Sequence, residues 1–292
     1  MLTFTFLGVG GAFARCLYQS NVLIEAWSRG PKHQQQPDDV LLVDFGATGP
    51  GALYALSGRP GFSYLRCGGR INYAAIRGVF VTHQHADHVG GLEDLAFASM
   101  FDPDADRTTS HKPELIGDTR VLGPLWDRTL RGGMEAAPGR LAVLEDYFTV
   151  RSLDHRDPQE NRFYIADRYR AEPFPTDHIR IHAKYDWPSF GLTIADEASG
   201  ASVFFSGDTR FDFDAHAERL KSARVAFHDV HLDDYPDPVH ALLSELTTLP
   251  ESIKRKTYLY HYADDWDEPR YRDALSQFAG PARQHVRYEV LP

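Results

Sequence analysis

The chain has 292 residues, 42% of them hydrophobic, and a formal charge of −10 from 31 Lys and Arg against 41 Asp and Glu. That length can bury a core without disulfides. Two cysteines, Cys16 and Cys67, exclude a disulfide scaffold or a Cys-rich zinc module, and the acidic balance argues against general nucleic-acid binding. In chain order, Leu2, Phe4 and Phe6 alternate with Thr and read as a strand, followed by the turn Gly8-Val9-Gly10-Gly11. This opening has no basic region, long apolar run or small-residue cleavage site, so a soluble cytoplasmic protein without membrane attachment is expected. Strand-like runs follow at Val40–Phe45, Ile76–Thr82, Ile179–Ala183, Gly191–Ala195, Ala201–Phe205, Val225–His228 and Thr257–His261. Helical periodicity falls at Leu92–Met100, Ala215–Ala223, Pro238–Thr247 and Pro269–Phe278. Strands with helices between them give an α/β class, read here as one domain over 1–292, with 101–175 as an irregular insertion or lid.

The composition leaves 14 histidines to be explained. Four chemistry-bearing side chains crowd into Thr82-His83-Gln84-His85-Ala86-Asp87-His88, directly after the apolar run Ile76–Val81 and before a helix start at Val89-Gly90-Gly91-Leu92. On a strand-to-helix loop such side chains converge. Imidazole and carboxylate suit zinc, iron or manganese. His83 and His85 can share one ion while Asp87 and His88 face a second, and two adjacent ions hold a water and lower its pKa. Asp208 in the turn Ser206-Gly207-Asp208-Thr209 and His261 after Thr257–Tyr260 both end apolar runs, where an α/β sheet places ligands.

The motif resembles that of the metallo-β-lactamase-fold hydrolases, closest in pattern to the ribonuclease Z and phosphodiesterase branch. Phe6–Gly11, Val43-Asp44-Phe45-Gly46, Ile181-His182 with Pro188–Leu192, Phe205–Thr209 and Tyr258–Tyr262 are similar to that branch in order along nearly the whole chain. The resemblance implies a four-layer αββα sandwich, two mixed sheets flanked by helices, with two divalent metal ions, zinc first and iron or manganese as alternatives. It implies metal ligands His83, His85, Asp87, His88, His182, Asp208 and His261, with Asp208 bridging. His178 and His182 lie on the same face of a continuous strand, and His182 is favoured because Ser189–Leu192 follows it; His155 is a more distant candidate. Asp44 would orient the ligand loop from behind. His228 and Asp229 resemble the branch's His-Glu pair with Asp in place of Glu, and His240 resembles its downstream acid. The catalytic set is then Asp87, Asp208 and His240, with Arg210 as the candidate phosphate contact.

The expected function is a binuclear metal-dependent hydrolase of the phosphodiesterase type, acting on a nucleotide or other small phosphodiester through a hydroxide held between the ions. The charge and the lack of a long Gly- and Lys-rich arm weigh against long RNA as partner. A di-iron oxygen-binding sensor or redox protein is the alternative, and a lactone or thioester hydrolase a further one. Dimers are frequent in the fold, so a homodimer is an expectation of the resemblance alone.

Overall fold

The strand-forming runs assemble as pairs whose order explains where the ligands end up. In a computed structural model, residues 1–101, 112–181 and 187–292 are described. Its main strands, in chain order, are β1 (Leu2–Gly8), β2 (Asn21–Ala26), β3 (Asp39–Val43), β4 (Gly78–Phe80), β5 (Glu114–Asp118) and β6 (Thr149–Leu153). Then come β7 (Phe163–Ile165), β8 (Tyr169–Thr176), β9 (Ser189–Asp196), β10 (Ser202–Phe205), β11 (Ala223–Asp229), β12 (Thr257–Tyr260), β13 (Gly280–Pro281) and β14 (Arg287–Leu291). They form two seven-stranded sheets among the described residues, β6-β5-β4-β3-β2-β1-β14 and β7-β8-β9-β10-β11-β12-β13. Both follow one plan. An antiparallel portion, β14-β1-β2-β3 or β7-β8-β9-β10, continues into a parallel portion, β3-β4-β5-β6 or β10-β11-β12-β13.

The core lies between the sheets. Phe227 of β11 stacks on Phe4 of β1 with ring centroids 5.4 Å apart, and Phe80 of β4 stacks on Phe163 of β7 at 5.7 Å. Helices cover the outer faces, including Gly49–Ser57 on the first sheet and Phe213–Ser222 on the second, so the expected αββα layering is the architecture of the chain. The Thr face of β1 is also buried. Thr3 Oγ1 donates to Glu25 Oε2 (3.1 Å), and Glu25 is paired with Arg287 (2.7 Å) and accepts from the Tyr64 hydroxyl (2.6 Å). A paired and hydrogen-bonded carboxylate can stay buried where an unpaired one would be too costly.

Three expected elements differ. The segment 101–175 is woven into both sheets through β5, β6, β7 and β8 rather than being an appended insertion; residues 102–111 within it lie outside the described residues. The strand expected over Ile179–Ala183 is not formed at residues 179–181, because β8 ends at Thr176; 182 and 183 lie outside the described residues. The helix expected over Pro238–Thr247 is limited to Leu243–Leu246. No helix among the described residues is long and apolar enough to cross a membrane.

Parallel register fixes the position of the site. Val43 lies opposite Phe80, Phe205 opposite Phe227, and Asp229 opposite Tyr260. The residues that follow these strands therefore leave the sheets at a common edge.

Candidate metal centre

The loops after β4, β8, β10 and β12 deliver two adjoining clusters. In the first, His83 Nε2 lies 3.0 Å from His85 Nδ1, and His178 Nε2 lies 3.2 Å from the same His85 nitrogen. In the second, Asp87, His88, Asp208 and His261 converge. His88 Nε2 is 3.3 Å from Asp87 Oδ2 and 3.2 Å from Asp208 Oδ2, and His261 Nε2 is 3.4 Å and 3.3 Å from the same two oxygens. Asp208 Oδ2 also lies 3.9 Å from His83 Nε2 and 4.0 Å from His178 Nε2, so one carboxylate oxygen faces both clusters.

Several of the candidate ligands are aimed by a partner behind them. Asp44 accepts from Thr82 N and Thr82 Oγ1, both at 2.8 Å, and from His88 Nδ1 at 2.7 Å. With its proton given to Asp44, the Thr82 hydroxyl accepts from His83 Nδ1 at 3.0 Å. His178 Nδ1 donates to Val239 O at 2.7 Å. These bonds fix three tautomers and leave the Nε2 lone pairs of His83, His88 and His178 turned inward. Asp44 and His261 adopt φ of +60° and +67°, conformations uncommon outside glycine. The His261 turn is held by Val9 O, which accepts from His261 N (2.8 Å) and Tyr262 N (3.2 Å). Gly46 explains the Asp-x-Gly pattern after β3: a Cβ there would sit 1.8 Å from Asp87 O, so only glycine lets the two loops touch. Asn21 locks that contact by accepting from Gly46 N (2.8 Å) and donating to Asp87 O (3.1 Å).

The residues present fit a pair of cations. His88 Nε2 and Asp208 Oδ1 are buried with no hydrogen-bond partner among the described residues, and a buried polar atom in that state calls for a ligand. Burial lowers the pKa of His83 and His85 and brings His178 down to about 4, which keeps them as neutral imidazoles, the form that ligates metal. Burial opposes a charge on His88 and His261 as well. There the surrounding carboxylates outweigh it and raise both, Asp208, Asp87 and Asp44 acting on His88, and Asp208 with Asp87 on His261. The second cluster thus favours positive charge, which a bound cation would supply in place of those protons, with His88 and His261 then neutral.

Beside the clusters stands a relay. His240 Nδ1 donates to Asp229 Oδ2 at 2.9 Å and lies 3.9 Å from Asp208 Oδ2. Asp229 also accepts from Thr209 N (3.1 Å) and Ser206 Oγ (3.3 Å), tying the relay to the turn that carries Asp208. Burial pushes the Asp229 carboxyl up, but the hydrogen bonds from His228 and His240 prevail and hold it below its usual range. It can therefore fix the His240 tautomer as an anion.

Of the expected site residues, the structure brings together His83, His85, Asp87, His88, Asp208 and His261, with Asp44 behind them and His240 and Asp229 beside them. The third histidine of the first cluster is His178, the stated alternative to His182, which lies outside the described residues. The face argument assumed a strand through 179–183, and β8 ends at Thr176. His155 pairs with Asp118 at 2.7 Å. His228 hydrogen-bonds Asp229 and packs toward Phe204 (6.2 Å). Arg210 is buried, its Nε donating to His178 O (3.3 Å) and its Nη1 paired with Asp237 (3.1 Å), so it braces the His178 segment rather than standing as a free phosphate group. Sequence reasoning assigned no role to Thr82, Asn21 or Trp187. Thr82 had a signal, a hydroxyl directly before a ligand; Asn21 had none. The Trp187 ring packs on His85 with centroids 5.3 Å apart, and its place just before the recognised Pro188–Leu192 stretch is the only cue.

Comparison with known proteins accords with this geometry. The family model "Anti-Pycsar protein Apyc1" matches residues 2–288. An Anti-Pycsar protein Apyc1 from Paenibacillus harenae is 35% identical over 286 residues, covering 97% of this chain and 98% of its own. Among solved structures, the metallo-β-lactamase fold protein YhfI from Bacillus subtilis aligns with a TM-score of 0.69 at 15% identity, covering 98% of each chain. Unliganded yeast PDE1 aligns with a TM-score of 0.70 at 15% identity and the same coverage. The chain has the metallo-β-lactamase fold.

Proposed function

The chain belongs to the Anti-Pycsar protein Apyc1 family, and from that premise we propose that it is a binuclear metal-dependent phosphodiesterase that opens a cyclic nucleotide. The observation that carries this reading is Asp208 Oδ2, which lies within 4.0 Å of nitrogens in both His clusters and 3.9 Å from His240. The family's Anti-Pycsar name directs the substrate toward a cyclic nucleotide, and the net charge of −10 accords with a small substrate rather than long RNA.

His83, His85 and His178 would hold one ion, and Asp87, His88 and His261 the other, with Asp208 between them. When bound, such ions polarise a phosphoryl oxygen and lower the pKa of water. The chain's own residues do the rest. Asp44 and Thr82 keep His88 and His83 in the tautomers that face inward. Asp229 accepts from His240 Nδ1, so in the doubly protonated imidazolium the Nε2 proton is the one that passes to the departing ribose oxygen, leaving His240 neutral.

The test is incubation of the purified protein with 3′,5′-cyclic AMP and detection of the nucleoside monophosphate. The expected outcome is turnover that is abolished by chelation and by Asp208→Ala. Metal-loaded protein that hydrolyses no phosphodiester would overturn the reading.

A further inference from the structure

Next to the metal clusters lies a cavity of about 380 Å³, a size suited to a small ligand, that shares His240 and His261 with them. Its other walls have a different chemistry. One is Phe13, which is 86% exposed. The lining also includes His231 and Tyr235, whose rings meet edge-to-face at 4.5 Å. No Lys or Arg lines it among the described residues, and Asp264 adds a negative charge. Such a surface repels a phosphate and suits an uncharged planar ring.

An exposed phenylalanine alone is unremarkable. Here the loop presenting it is braced. Asp264 accepts three successive backbone N–H groups, from Arg15 (2.7 Å), Cys16 (3.0 Å) and Leu17 (3.2 Å). Gln284 accepts from Tyr18 N at 3.1 Å, and Gly11 N donates to Tyr262 O at 3.1 Å. Gly11 lies against the ligand His261: a Cβ there would be 3.1 Å from His261 O and 3.3 Å from its ring. Tyr235 is fixed as well. The Tyr235 hydroxyl accepts from Val239 N (3.0 Å), and Val239 O holds the His178 ligand. The aromatic walls are thus tied through backbone to both metal clusters.

We propose that this cavity is the base subsite, in which the nucleobase of the substrate stacks on Phe13 against the His231–Tyr235 wall while its phosphate lies over Asp208. The inference rests on the nucleotide reading above and names the residues that would position the nucleoside. Phe13 and Tyr235 act on binding and orientation, not on the reacting bond.

Calorimetric titration tests it independently of turnover. Two probes are compared on the metal-loaded protein: AMP, and ribose 5-phosphate, which has the same phosphate and no base. The expected result is AMP binding about 10- to 100-fold tighter than ribose 5-phosphate, the range of base–aromatic stacking. Phe13→Ala should remove most of that ratio and Phe13→Tyr restore it, with ribose 5-phosphate binding equally to all three. Because Phe13 is exposed, the substitution carries little folding risk, and circular dichroism checks it. A ratio that is the same in the parent and in Phe13→Ala overturns the base subsite while leaving the hydrolase reading intact. A Phe13-dependent ratio in a protein that hydrolyses no phosphodiester overturns the hydrolase reading and sustains the subsite. Failure of both probes to bind overturns both.

Discussion

Replacing Asp44 by Asn separates the aiming of a ligand from the ligand itself. Asp44 is buried and accepts three hydrogen bonds, from Thr82 N, Thr82 Oγ1 and His88 Nδ1. The carboxamide keeps the shape and tolerates the φ of +60° as aspartate does, so the backbone is not newly strained. It can accept from Thr82 N with its oxygen. Its NH₂ group then faces His88 Nδ1 and the Thr82 hydroxyl, where only acceptance was useful. To accept that N–H, His88 must carry its proton on Nε2, the atom that faces Asp87 and Asp208. A protonated Nε2 cannot ligate. Loss of such a partner lowers metal affinity about 10- to 100-fold, or about 1.4 to 2.8 kcal/mol. The assay is competition against a graded chelator, read as the chelator concentration that removes half the metal. Retention of parental affinity in a folded Asp44→Asn protein would refute the argument that this bond sets the tautomer.

Three further outcomes follow from the same geometry. His240→Asn should lower kcat about 10²- to 10⁴-fold with metal content retained, because His240 donates to Asp229 and stands beside the clusters; loss of metal instead would make it a ligand. Gly46→Ala, whose methyl would sit 1.8 Å from Asp87 O, should cost about 3 kcal/mol and lower the urea midpoint, whereas an unchanged midpoint would mean the loops do not touch as described. His216, packed against Phe174 at 5.0 Å, is brought down to about 4, first by burial and then by the charges of His228 and Arg219. A depressed histidine contributes fully above its unfolded value near 6.5 and loses that contribution as pH falls toward 4, because the unfolded chain takes the proton first; the loss is about 3 kcal/mol at most. Urea unfolding at pH 7.5 and 5 should therefore show a smaller loss of stability for His216→Leu than for the parent, and equal losses would refute the assignment.

The ligands were most legible where the chain concentrates them. His83, His85, Asp87 and His88 share one short loop, and Asp208 and His261 follow apolar strands whose parallel register brings their ends together. His178 was missed as the preferred third ligand because period-2 logic holds only while a strand continues, and β8 stops at Thr176. Segment 101–175 read as irregular because β5 and β6 are short and pair with each other across several short helices, so neither has a local partner to reveal it. The alternation in β1 marked a strand but not the burial of its Thr face, which Glu25, bonded to Arg287 from far along the chain, covers. Arg210 carried a charge next to Asp208, and nothing local indicated that His178 O and Asp237 would take it. These are long-range pairings, which residue spacing does not encode.

The central claim is that one carboxylate serves two ions. The metal-to-chain ratio of freshly purified protein, measured for the parent beside Asp208→Ala, tests it most directly. The account predicts about two ions per chain in the parent and about one or fewer in the variant. An equal ratio in the two proteins, or a parent that binds no metal, would contradict it.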